Sequence, residues 1–129
     1  MARILIIEDN VPNMKLATKV LQNAGHTALC AVDAETGLAL ARTDLPDLIL
    51  MDVQLPGMNG LVATALLKAD PSTASIPVIA LTSMATKRDQ DLAMAAGCDA
   101  YVAKPYLHAL LYATIDALLL KSGPAAAIA

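Results

Sequence analysis

Leu48-Ile49-Leu50-Met51-Asp52, followed by Val53-Gln54-Leu55-Pro56-Gly57-Met58-Asn59-Gly60, is the stretch whose reading decides the fold. An unbroken apolar run ending in a carboxylate and then a Pro/Gly turn describes a strand buried on both faces that delivers Asp52 to a surface crevice. A second stretch has the same form: Ile4-Leu5-Ile6-Ile7 ends in Glu8-Asp9. Strands of this kind belong to parallel sheets covered by helices, which bind ligands outside the carboxyl ends of their strands. If the two strands are neighbours, three carboxylates converge. Like charges in one crevice raise each other's pKa unless something positive sits among them, so a hard divalent cation, or next a lysine, is expected there.

Outward from these two strands the chain alternates. Residues 3–8 form the first strand, Asn10 or Asp9 caps the next helix, and Pro12 fits its first turn. Met14, Ala17, Val20, Leu21 and Ala24 follow at helical spacing, with Gly25 as the stop. Residues 27–32 read as a second strand, and Asp33 caps a helix through about Ala41 that Leu45-Pro46 breaks. The third strand covers 47–52, and Gly60 opens a helix through Lys68. A fourth strand spans 76–82, with Pro77 near its start because proline gives the ladder no N–H. A polar helix is expected within 83–96, a brief strand at 100–103, and a sharp exit at Lys104-Pro105. The last helix is expected to turn Leu107, Leu110, Leu111, Thr114, Ile115 and Leu118 inward. Five strands alternating with five helices predict one doubly wound α/β domain, a five-stranded parallel sheet with right-handed crossovers and helices on both faces. The domain is expected over 1–120, with 121–129 a short tail and no output domain.

Composition narrows the function. The 129 residues are 57% hydrophobic and 16% charged, with no Trp or Phe, so the core is aliphatic. A net charge of -3 argues against nucleic acid or an anionic membrane as main partner. No apolar run approaches the ~20 residues of a membrane span, and no signal-peptide pattern opens the chain. Cys30 and Cys98 lie in apolar stretches and read as buried free thiols of a cytoplasmic protein.

The strand ends carry the chemistry. The first ends in Glu8-Asp9, the third in Asp52, the fourth in Thr82 and the fifth in Lys104-Pro105. Each alone has a plain reading: helix cap, loop acid, strand-end hydroxyl, surface charge. Jointly, over 3–120, they resemble the receiver domain of two-component response regulators, whose fold is the (βα)5 flavodoxin-like, CheY-like one. The segment from Glu8 to Leu16 resembles the opening of single-domain DivK-like regulators and of receivers in hybrid kinases. The resemblance implies that Asp52 is the phosphoacceptor, taking a phosphoryl group from a histidine kinase or histidine phosphotransferase. It implies Mg2+ held by Glu8, Asp9, Asp52 and the backbone carbonyl of Gln54, with Lys104 and the Thr82 hydroxyl on phosphoryl oxygens. It further implies a cis peptide before Pro105, and Tyr101 as the aromatic that turns inward when Thr82 moves.

Such a protein is a switch rather than an enzyme. Its downstream protein target is expected on the face made by the fourth helix, fifth strand and fifth helix. There Tyr112, Leu119 and Leu120, near Tyr106 and Ala109, form an apolar surplus that would serve docking or a phosphorylation-dependent homodimer. The opening Met1 and brief tail favour a stand-alone receiver over one from a hybrid kinase. Gln54 and Met84 border the path of a hydrolytic water, and Met84 neither orients nor activates it, so slow phosphoryl loss is expected. Two alternatives compete. A haloacid-dehalogenase-like phosphatase would need an acid where Gln54 stands, and a flavin or nucleotide module would need a phosphate-cradling loop after the first strand.

Overall fold

The computed structural model describes residues 2–83 and 86–122. The elements follow in strict alternation: β1 (Arg3–Ile7), α1 (Val11–Asn23), β2 (Thr27–Ala31), α2 (Ala34–Asp44), β3 (Leu48–Asp52), α3 (Gly60–Ala69), β4 (Val78–Thr82), α4 (Lys87–Ala95), β5 (Ala100–Ala103) and α5 (His108–Ser122). All strand pairings are parallel, in the order β2-β1-β3-β4-β5. This is the doubly wound, flavodoxin-like (βα)5 fold.

Strand alternation divides the core into two layers. Leu5, Ile7, Ile49, Met51, Val78 and Ala80 face α2, α3 and α4, where Leu38, Ala41, Ala63, Leu67 and Ala93 meet them. Ile4, Ile6, Leu48, Leu50, Ile79 and Leu81 face α1 and α5, meeting Met14, Ala17, Val20, Leu21, Leu111 and Ile115. Every residue of β3 and β4 is buried, which is why both read as continuous apolar runs. Among the described residues, no helix is long and apolar enough to cross a membrane.

Several readings need correction. Cys30 is exposed, not buried, because β2 is an edge strand with partial cover. In α5, Leu111 and Ile115 are the buried anchors, while Leu110 and Leu107, the residue before the helix, stand 53% and 75% exposed. Tyr112 and Leu119 instead pack partly against the core, and the Tyr112 hydroxyl donates to the Val20 carbonyl of α1 at 3.0 Å. α4 begins at Lys87, where Thr86 accepts from the Asp89 N–H as its cap. Residues 121 and 122 continue α5, and 123–129 lie outside the described residues.

Candidate functional site

β1 connects to β2 on one side and β3 lies on the other, so the strand order reverses between β1 and β3. Open α/β sheets form their ligand crevice at that point, outside the carboxyl ends. Glu8 follows β1, Asp52 closes β3, Thr82 closes β4 and Lys104 follows β5. Glu8, Asp52 and Thr82 are buried, whereas Asp9 is exposed. Local backbone fixes these positions. The Glu8 N–H donates to the Ala31 carbonyl at 3.0 Å, and the Lys104 N–H to the Thr82 carbonyl at 2.7 Å. The Lys104–Pro105 peptide is cis. Gly60, the first residue of α3, presses so closely on the Asp52 carbonyl and Val53 Cα that a Cβ there has no space. Gly57 adopts φ +74, a left-handed conformation that glycine takes without penalty, in the turn between β3 and α3.

Carboxylate oxygens of Glu8, Asp9 and Asp52 lie within 4.8 Å of one another. The Lys104 ammonium enters from β5, donating to Glu8 Oε1 at 2.7 Å and lying 3.5 Å from Asp52 Oδ1. The Gln54 N–H donates to that same Asp52 oxygen at 3.1 Å. Negative charge is still in excess. Burial, then the hydrogen bond with Glu8, push the Asp52 carboxyl up to about 7. Burial works the same way on Glu8, but its hydrogen bonds with Asp52 and Lys104 outweigh it and hold Glu8 below its ordinary value. Three hard oxygen donors with surplus charge fit a small divalent cation of the magnesium type.

Around this centre lie the remaining residues the sequence singled out. Tyr101 is partly buried and, with Val53, Leu61, Thr82, Asp89 and Leu92, lines a small cavity of about 40 Å³. Burial, and then the nearby Asp89 carboxylate, raise its hydroxyl pKa. On the other side, Pro105 and Tyr106 join Leu16 and Asn13 of α1 around a cleft of about 330 Å³ that touches Glu8 and Lys104. Gln54 is exposed, and its side-chain Oε1 accepts from the Ser83 hydroxyl at 2.7 Å. Ser83 carries no sequence signal of its own, and this link spans 29 residues. Met84 lies outside the described residues.

A doubly wound domain with an acid–lysine crevice at its switch point is the class this geometry defines. The response regulator receiver domain family matches residues 4–116, and the chain belongs to it. Among curated relatives it is 40% identical over 119 residues to the protein PilH of Pseudomonas aeruginosa, covering 92% of this chain and 98% of PilH. It is 43% identical over 102 residues to the polar-differentiation response regulator DivK of Brucella anthropi, covering 79% of this chain and 83% of DivK. Among solved structures it is similar to the receiver domain of a sensor histidine kinase from Pseudomonas aeruginosa PAO1, with a TM-score of 0.86 and 30% identity. That match covers 92% of this chain and 97% of the other, which carries a magnesium ion coordinated in its active-site cleft.

Proposed function

We propose that this receiver accepts a phosphoryl group on Asp52 from a histidine kinase or a histidine phosphotransferase and thereby switches a protein–protein interaction. The observation that carries this reading is the cluster of Glu8, Asp9 and Asp52 at the strand-order reversal, with Lys104 against Glu8 and Asp52. The receiver acts in the cytoplasm, where ATP-derived phosphodonors are made.

Glu8, Asp9, Asp52 and the Gln54 carbonyl would hold Mg2+, which when bound neutralises charge on the transferring phosphoryl group. Asp52 supplies the nucleophilic oxygen: it attacks phosphorus, and the phosphorus–nitrogen bond of the donor imidazole breaks. The charge balance supports the metal's need, since a carboxyl near 7 is half protonated at neutral pH and a bound dication would favour its anion. Lys104 exchanges part of its contact with Glu8 for a phosphoryl oxygen, and the Thr82 hydroxyl donates to another. Movement of Thr82 gives Tyr101 room to turn into the cavity they share. That turn alters the face of α4, β5 and α5, where Leu92, Met94, Leu107 and Leu110 are exposed and available to a target or a second copy.

Gln54 argues against phosphatase turnover, because an amide is no general acid or base. Acetyl phosphate with Mg2+ tests the reading: each chain gains one phosphoryl group, and borohydride trapping maps it to Asp52. Asp52→Asn takes up none. Continuous release of phosphate from unrelated esters, or label elsewhere, would overturn it.

A further inference from the structure

α5 is apolar on two opposite sides. Leu111 and Ile115 are buried against the sheet. At about 100° per residue, Leu110, Ala113, Ala117 and Leu120 fall together on the side of the helix away from them. All four are exposed, the two leucines by 53% and 71%. None of the four can ionise, and the neighbouring Thr114 hydroxyl is already spent on the Leu110 carbonyl at 2.8 Å. A single exposed leucine needs no explanation, whereas an aligned uncharged stripe along a helix marks a contact surface.

The spacing decides what fits it. The intervals from Leu110 to Ala113, Ala117 and Leu120 read the same from either end about position 115. Such a surface matches a copy of itself across a two-fold axis, alanine meeting alanine at the centre and leucine meeting leucine outside. Ala113 and Ala117, one above the other on the helix, form a ridge of the kind whose mutual packing crosses two helices at about 50°. Alanines at the crossing let the axes approach to about 8 Å. Each leucine lies about 7.5 Å along its axis from the midpoint. At a crossing of about 50° the axes there are about 10 Å apart, room enough for a leucine pair; at about 20° they would be only about 8.4 Å apart. The contact is short. α5 has 15 residues, so it is about 22 Å long, and one crossing falls below the ~1,200 Å² at which stable interfaces begin.

We propose that this side of α5 pairs the chain with a second copy in a crossed, two-fold α5–α5 contact, weak and exchanging, whether or not Asp52 carries a phosphoryl group. Tyr101 packs in the layer of α2, α3 and α4, on the other face of the sheet from α5, so its turn does not reach the stripe. The contact therefore goes beyond the phosphoryl-dependent switch and does not rest on it.

Sedimentation equilibrium of the full chain tests this from about 5 μM to about 1 mM, with Mg2+, before and after labelling by acetyl phosphate. The mean mass should rise reversibly from one chain toward two, with a Kd on the order of 100 μM, in wild type and in Asp52→Asn alike. Ala117→Glu brings two carboxylates together at the crossing and should weaken the dimer by about tenfold or more; Leu120→Gln should do so by about fivefold. Gln90→Glu adds the same charge on the exposed surface of α4 and should change the Kd by less than about threefold. A chain that stays monomeric to about 1 mM, a dimer found only after labelling, or equal weakening by Ala117→Glu and Gln90→Glu overturns the proposal. Dimerisation of a chain that takes up no label supports it while overturning the role of Asp52.

Discussion

At the amino ends of β4 and β5, Lys68 Nζ meets Asp99 Oδ2 at 3.0 Å; at the carboxyl ends, Lys104 Nζ meets Glu8 Oε1 at 2.7 Å. The surroundings of the two pairs differ. Lys68 also donates to the carbonyls of Ala74 and Ile76, at 3.2 and 2.8 Å, so all three of its protons are placed. Asp99 Oδ2 in turn accepts from the Val78 N–H at 2.8 Å. One cation and one anion close a structural knot there, and nothing is left to bind. Lys104 instead faces a cluster of three carboxylates, two of them buried, and Asp52 answers by holding its proton up to about 7. A tie that is complete stabilises the fold; one left electrically incomplete recruits a ligand.

Substitutions at each end should therefore fail in different ways. Lys104→Ala has the largest expected effect: Asp52 still takes up label, but the conformational response is lost, read as an unchanged Tyr101 environment before and after labelling. Normal switching in that variant would remove the lysine from the mechanism. Asp9→Ala should weaken Mg2+ binding by about tenfold or more, measured by calorimetry, because an anionic ligand is lost. Unaltered affinity would move the metal elsewhere. Lys68→Ala should leave labelling and metal affinity near wild type yet cost about 1–3 kcal/mol of unfolding free energy, since Asp99 and two carbonyls lose their donor.

The smallest effect lies in pH. Asp52 at about 7 is above its ordinary value of 3.8, so the folded chain retains a proton that the unfolded chain releases. In metal-free protein this makes stability fall as pH rises from about 4 to about 7. Glu8, held below its ordinary 4.5, acts at more acid pH and in the opposite sense. Asp52→Asn removes the downward slope, so its unfolding free energy relative to wild type should be higher at about pH 8 than at about pH 5, by on the order of 1 kcal/mol. A gap that stays constant would mean Asp52 is ionised throughout.

The strands and their acidic ends were legible because β1, β3 and β4 are covered on both faces, which leaves an apolar run no ambiguity until it reaches solvent. The convergence of Glu8, Asp9 and Asp52 then followed from topology. Where cover is one-sided or partial, the same method failed. Cys30 sits on the edge strand, where an apolar neighbourhood in sequence does not mean cover in space. α5 is apolar nearly all round, so two stripes can be drawn along it, and only packing against α1 and the sheet selects Leu111 and Ile115 over Leu107 and Leu110. The Ser83–Gln54 hydrogen bond joins separate loops and leaves no periodic trace.

The contrast between the two ends is tested most directly by titrating the isotopically labelled chain with Mg2+ and following backbone amide shifts. Saturable changes should centre on Glu8, Asp9, Asp52, Val53 and Gln54 and leave Lys68, Val78 and Asp99 in place. Shifts concentrated at Asp99, or none that saturate, would contradict the claim that the incompletely neutralised end of the sheet is the ligand site.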